Sequence, residues 1–166
     1  MPAYHVDRSI RIDANQDNVR PAVEDFKEWP KWSPWLCMEP KAKVEAYGTP
    51  GQPGHGYNWE GELTGAGGMK ITSIQGGRQI MAIEFLKPFK SRASVTMDLK
   101  PVGEAQTDVT WSMDGKMPIF LFFMIGMMKR MIGMDYERGL KMLKEYVETG
   151  NVKSQTEIVG MVDYPG

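Results

Sequence analysis

A chain of 166 residues, 42% apolar and 25% charged, is long enough for one domain that buries about 70% of its unfolded surface, and nothing in its composition demands two. Its 20 Lys and Arg against 21 Asp and Glu give a formal charge of -1, which supplies no basic field and argues against nucleic acid as a partner. A lone Cys37 excludes an internal disulfide, and Met1-Pro2-Ala3-Tyr4-His5 has neither the basic nor the apolar region of a signal peptide, which predicts a reducing cytoplasm.

Along the chain, Val6, Arg8, Ile10 and Ile12 alternate with His5, Asp7, Ser9, Arg11 and Asp13, the two-residue period of a half-buried strand. Asn15 or Asp17 can cap a short helix reaching about Phe26, because a side-chain oxygen there satisfies free backbone N–H groups. Pro21 predicts a late start or a kink in that helix, since proline is tolerated only near the first turn. The run Trp29-Pro30-Lys31-Trp32-Ser33-Pro34-Trp35 follows and holds three of the five tryptophans. So much large apolar surface on a proline-locked connection predicts a core plug or a rigid wall at a cavity mouth.

Ala42, Val44 and Ala46 then alternate with Lys41, Lys43 and Glu45, and Tyr57, Trp59 and Leu63 with Asn58, Glu60 and Glu62. Gly65-Ala66-Gly67-Gly68 reads as a hairpin turn, with no following Lys-Ser/Thr to cradle a phosphate. Met69 and Ile71 begin a strand ended by Gly76-Gly77, and Ile80 to Leu86 form the next, broken by Pro88. The clearest pair comes last: Ala93, Val95, Met97 and Leu99, then Val109, Trp111 and Met113, each alternating with polar residues. Seven strands result, and their short loops favour antiparallel pairing.

Asp114-Gly115 is expected to turn the chain, and Pro118 to open a helix running to about Glu148. Ile125, Met128, Ile132, Tyr136, Leu140, Leu143 and Val147 mark its buried face, with Asp135, Glu137, Arg138, Lys141, Lys144, Glu145 and Glu148 on the other. Gly126, Gly133 and Gly139 interrupt it at a cost of about 1 kcal/mol each relative to alanine, so they serve either close approach to the sheet or movement of the segment before Gly126. Ile119 to Met128 is about half the roughly 20 residues needed to cross a bilayer, which predicts no stable membrane insertion. A buried or cavity-facing helix start is the expected reading, with an interfacial anchor as the alternative. One amphipathic helix on one curved antiparallel sheet is an α+β arrangement. The domain is expected over 1–149, with 150–166 a tail whose Glu157 to Asp163 stretch reads as a short strand, packed on this sheet edge or on a second copy as a homodimer.

The order strand, two short helices, six strands, long helix resembles the helix-grip fold of the START-like (SRPBCC) superfamily, and more closely its polyketide cyclase/dehydrase-like branch. The likeness is carried by Arg8 to Ala14, Val23 to Phe26 leading into the tryptophan run, Tyr57 to Gly61, Val109 to Met113, and Gly133 to Leu140 with Leu143-Lys144. It implies a seven-stranded curved sheet wrapped around the C-terminal helix and enclosing a cavity for lipids, polyketides or other apolar small molecules. Residues after Val152 resemble only the opening of the effector-binding domain that follows in some longer relatives.

On that reading the expected cavity residues are Trp32, Trp35, Tyr57, Trp59, Phe85, Trp111, Met113, Phe123, Met127 and Met131. Methionine supports it, with eight of the 14 lying between Met113 and Met142, because unbranched thioethers adapt to irregular contents. Material for catalysis is sparse: His5 and His55 are the only histidines, Cys37 has no basic motif beside it, and Glu60 points outward by alternation. Glu84 is ambiguous, because both faces of its strand are apolar. No metal or cofactor is expected. The expected function is therefore binding of a hydrophobic small molecule, with a cyclase or dehydratase acting through an inward acid as one alternative. An interaction module using the tail strand is the other.

Overall fold

The computed structural model describes residues 3–87 and 90–152, and the strand expected at Glu157 to Asp163 lies outside them. Alternation becomes β1 (Ala3–Ile12), β2 (Lys43–Tyr47), β3 (Gly56–Gly61), β4 (Gly65–Gln75), β5 (Arg78–Lys87), β6 (Ser91–Val102) and β7 (Gln106–Lys116). They form one antiparallel sheet in the order β1-β7-β6-β5-β4-β3-β2. Sequential strands are neighbours from β2 to β7, while β1 pairs with β7 after the chain has made its helical excursion. The inward set of each strand lies on one face: Val6 and Ile12, Tyr57 and Trp59, Met81 and Ile83, Val95 and Met97, Val109, Trp111 and Met113 are all buried.

Two predicted turns are strand instead. Gly65 to Gly68 opens β4, where Trp59 pairs with Gly67 and Asn58 with Gly68. A Cβ on Gly67 would lie 2.6 Å from the Trp59 ring and 2.4 Å from the Glu84 carbonyl, so this glycine clears room for a cross-strand indole. Asp114 and Gly115 likewise continue β7 to Lys116, because Gly115 lies under the Tyr4 ring, where a Cβ would come within 2.5 Å of Cζ.

Between β1 and β2 run α1 (Gln16–Glu24), a 3-10 turn at Trp29–Lys31, and α2 (Pro34–Met38). Asn15 caps α1 by accepting from the Asn18 N–H at 2.9 Å, so the helix starts at Gln16 and Pro21 falls inside it rather than near a later start. Burial of Val19, Ala22 and Val23 against the core offsets the backbone hydrogen bond that proline cannot make.

The long helix also begins later than Pro118 suggested. Ile119–Met124 is a 3-10 turn, and α3 occupies Ile125–Thr149, closed by Gly150 at φ 75° with its N–H on the Tyr146 carbonyl. α3 lies against β1, α1, α2 and β7, with Tyr136, Leu140 and Leu143 buried. Arg8 Nε holds Glu137 at 2.8 Å, and Lys144 Nζ donates to the Arg11 carbonyl at 2.9 Å, so the helix is tied to β1 along its exposed flank. The result is the expected α+β helix-grip arrangement, a seven-stranded antiparallel sheet around one long helix.

Candidate functional site

The tryptophan run is placed by the end of α1. The last carbonyls of a helix lack intrahelical partners, and here Trp32 Nε1 donates to the Ala22 carbonyl and Trp29 Nε1 to the Val23 carbonyl, each at 2.9 Å. Pro30 and Pro34 occupy first-turn positions of the 3-10 turn and of α2, where a missing N–H costs nothing. The indoles are thereby fixed beside Trp111, with edge-to-face centroid distances of 5.7 Å from Trp29, 5.4 Å from Trp32 and 5.8 Å from Trp35. Tyr136 of α3 stacks on Trp111 at 4.0 Å and 7°. This aromatic block fills one end of the space between helix and sheet.

The other end is open space. A cavity of about 440 Å³ lies between the N-terminal half of α3 and the inner face of the sheet. Of the residues expected there, Trp35, Tyr57, Trp59, Phe85, Trp111, Met113, Met127 and Met131 line it. Trp32 and Phe123 do not. Trp32 is wholly buried behind the aromatic block, held by its bond to Ala22, and Phe123 points to solvent from the 3-10 turn at 70% exposure. Trp29, three residues earlier on the same tight turn, takes the wall position expected of Trp32.

Sequence reasoning also missed Tyr4, Met69, Ile83 and Val95, although each continues the inward period of its strand. It placed Asp135 on the outward face of the helix. Asp135 is half-buried at the cavity wall, hydrogen-bonded by the Trp35 indole and 3.8 Å from Arg138. Burial raises its carboxyl above the ordinary range, partly offset by Arg138 and the indole. Asp135 adjoins Ile132 and Tyr136 of the predicted buried face, and that face meets a cavity here, so a half-buried carboxyl can border it.

Three further polar groups converge on the same space. Burial raises the phenols of Tyr4 and Tyr57, and raises Tyr136 strongly, with the charges of Tyr4, Tyr57 and Asp114 adding to the last. At neutral pH these phenols stay protonated and act as hydrogen-bond donors or acceptors, not as bases. Among the described residues, two that line the cavity also carry a buried polar atom without a partner, Trp111 Nε1 and Thr64 Oγ1. The other four indole N–H groups are all satisfied, by Val23, Ala22, Asp135 and Thr64. Gly139 faces Cζ3 of Trp111, so the N–H lies on the ring edge away from Gly139.

The remaining candidates are structural or exposed. His55 is buried, accepts the Phe26 N–H at Nε2 and hence carries its proton on Nδ1, which donates to the Tyr47 carbonyl. His5 bridges Asp7 and Asp114 on the outer face. Burial pushes the Cys37 thiol up to about 11. Glu60 and Glu84 are exposed, Glu84 lying 3.8 Å from Arg92. Among the described residues no group of three His, Cys, Asp or Glu could hold a metal ion.

The profile of the family described as "Polyketide cyclase / dehydrase and lipid transport" matches residues 3–148. No curated protein matches by sequence. Among solved structures, XoxI from Bacillus cereus is 18% identical with a TM-score of 0.65, the alignment covering 87% of this chain and 96% of that one. The Aha1 dimer from Colwellia psychrerythraea is 18% identical at TM-score 0.63, covering 89% and 98%. DynU16, a protein of the dynemicin biosynthetic locus, is 17% identical at TM-score 0.59 over 89% of this chain, which spans about half of that protein (48%). At these identities the likeness is one of fold.

Proposed function

The chain belongs to the polyketide cyclase/dehydrase and lipid transport family, and from that membership and its cavity we propose that it binds a hydrophobic small molecule, lipid or polyketide-like, between α3 and the sheet. The observation that carries this reading is the 440 Å³ space lined by aromatic rings and by Met69, Met113, Met124, Met127, Met128 and Met131. Its size falls in the range of ligand pockets, about 300–1,000 Å³. Thioethers and indole faces make apolar contacts that tolerate varied shapes. The phenols of Tyr57 and Tyr136 on the same lining favour a ligand that carries at least one hydrogen-bonding oxygen.

Titration with anilinonaphthalene sulfonate, followed by tryptophan emission, is expected to saturate, since Trp29, Trp35, Trp59 and Trp111 line the cavity. Native mass spectrometry of the purified protein should recover an apolar adduct. Absence of both removes the reading.

The second reading is a cyclase or dehydratase-type activity on such a ligand. Asp135 favours it, a cavity-wall carboxyl raised by burial and therefore suited to exchange a proton with a bound substrate. Consumption of a linear poly-β-ketone thioester would be compared between wild type and Asp135→Asn; equal rates, or no consumption by either, eliminate it.

A further inference from the structure

The most unusual surface of the molecule lies beside the cavity. Ile119, Phe120, Phe122 and Phe123 are between 62% and 72% exposed, and no residue of their 3-10 turn is buried. Met127, Met131 and Met134 extend the apolar face along α3 at 54%, 59% and 45% exposure. Soluble monomers rarely expose a contiguous apolar patch of this kind unless it meets a partner or a membrane.

Charge identifies the partner. From Lys116 to Met134 the chain carries Lys116, Lys129 and Arg130 and no acidic residue, although its formal charge is -1 overall. Lys90, Arg92 and Lys116 share a depression with Pro118, the residue that leads into the 3-10 turn, and with one acidic residue, Asp114. Exposed aromatic and aliphatic side chains on a segment whose own charges are all basic match the two layers of an anionic bilayer surface, acyl boundary and headgroups. No helix of the described residues is long and apolar enough to cross a membrane, so contact is limited to the interface.

We propose that residues 116–134 dock the protein reversibly on an anionic lipid bilayer, Ile119, Phe120, Phe122 and Phe123 entering the interface while Lys116, Lys129 and Arg130 meet the headgroups. Met127 and Met131 line the cavity and are also half-exposed, so they form a thin wall shared by cavity and surface. Docking sets that wall against the lipid, and an apolar ligand then passes between membrane and cavity without crossing bulk water. The ligand's passage rests on the proposed binding function, while the docking itself stands apart from it, and each can fail without the other.

The test is flotation of the full chain with vesicles of phosphatidylcholine alone and of phosphatidylcholine with about one-third phosphatidylserine. Wild type is expected to bind the anionic vesicles preferentially, with binding that weakens as salt is added. Phe120→Ser with Phe123→Ser should abolish binding to both. Lys129→Glu with Arg130→Glu should reduce binding to anionic vesicles by at least about fivefold, the effect of roughly one surface cation. These four side chains lie outside the cavity lining, so both variants should keep wild-type probe titration and melting. No wild-type binding to anionic vesicles overturns the proposal, as does binding unaffected by the phenylalanine changes. A wild-type dimer that the phenylalanine changes convert to monomer assigns the face to a second copy instead. Vesicle binding that appears only after removal of residues 153–166 assigns it to the tail, and both outcomes overturn the proposal.

Discussion

The three glycines of α3 offer a graded test of how closely the helix is gripped. Gly→Ala in a helix interior ordinarily stabilises by about 1 kcal/mol through propensity. At Gly139 the new Cβ would lie 2.7 Å from Trp111 Cζ3 and 2.8 Å from Pro34 Cδ. Neither neighbour can swing away, because Trp111 is buried and stacked on Tyr136, and Pro34 is a ring in the first turn of α2. Overpacking of this kind costs about 1–3 kcal/mol, and two rigid contacts place it in the upper half of that range. Net of propensity, Gly139→Ala should destabilise by about 1–2 kcal/mol. At Gly133 the Cβ meets only the Arg8 guanidinium, at 2.4 Å to Nη2, the far end of a flexible side chain; moving it sacrifices the exposed Arg8–Glu137 pair, and the outcome should lie near zero. Nothing lies within 4 Å at Gly126, so alanine there should stabilise by about 0.5–1 kcal/mol. Urea unfolding followed by tryptophan emission measures all three, with an unchanged m-value confirming that stability alone has moved. If Gly139→Ala is as stable as Gly126→Ala, the close approach of α3 to the Trp111 and Pro34 rings is wrong.

Val95→Phe places extra apolar volume into the cavity from β6; filling about 50 Å³ at about 24 cal/mol per Å³ offers roughly 1 kcal/mol of stability, while probe affinity should fall at least tenfold in the same fluorescence titration. An unchanged affinity would show that the probe binds elsewhere. Cys37, buried and with its thiol pushed up to about 11, should react with a disulfide reagent at the rate of unfolding in native buffer and rapidly in denaturant; fast native labelling contradicts its burial. His5 has its pKa raised above 6.5 by Asp114 first and Asp7 second, so its contribution is fully present below 6.5 and is lost as pH rises through the folded-state value. His5→Gln should flatten the small stability slope in that window, and a His5 ring titration at or below 6.5 by NMR would refute the pairing.

Local rules made much of the architecture legible. Strand alternation follows from the pleat of the backbone, which sends successive side chains to opposite faces whatever lies beyond them. Hence Tyr57 and Trp59, or Trp111 and Met113, could be assigned to one inner face, and the Asn15 cap and the helical run through Tyr136, Leu140 and Leu143 were visible for the same reason. The glycines were not. Gly67 and Gly115 look like turn residues in isolation, yet each lies under an aromatic ring brought across from a neighbouring strand, Trp59 and Tyr4.

The candidate site divides along the same line. Sequence alone determined that an α+β fold would present aromatic and methionine side chains to the space under one long helix, because periodicity and composition are properties of the chain itself. Tertiary structure decided which of them border empty volume. Trp29 and Trp32 are chemically equivalent and share one tight turn, and only the docking of α2 and α3 around Trp111 leaves the first on the cavity wall and the second sealed behind it. Asp135 sits among polar residues in the sequence but beside the Trp35 indole and the cavity in space, where desolvation raises its carboxyl. A void is the space that packing leaves unfilled, so its position depends on helix and sheet surfaces meeting at a distance that no local pattern encodes.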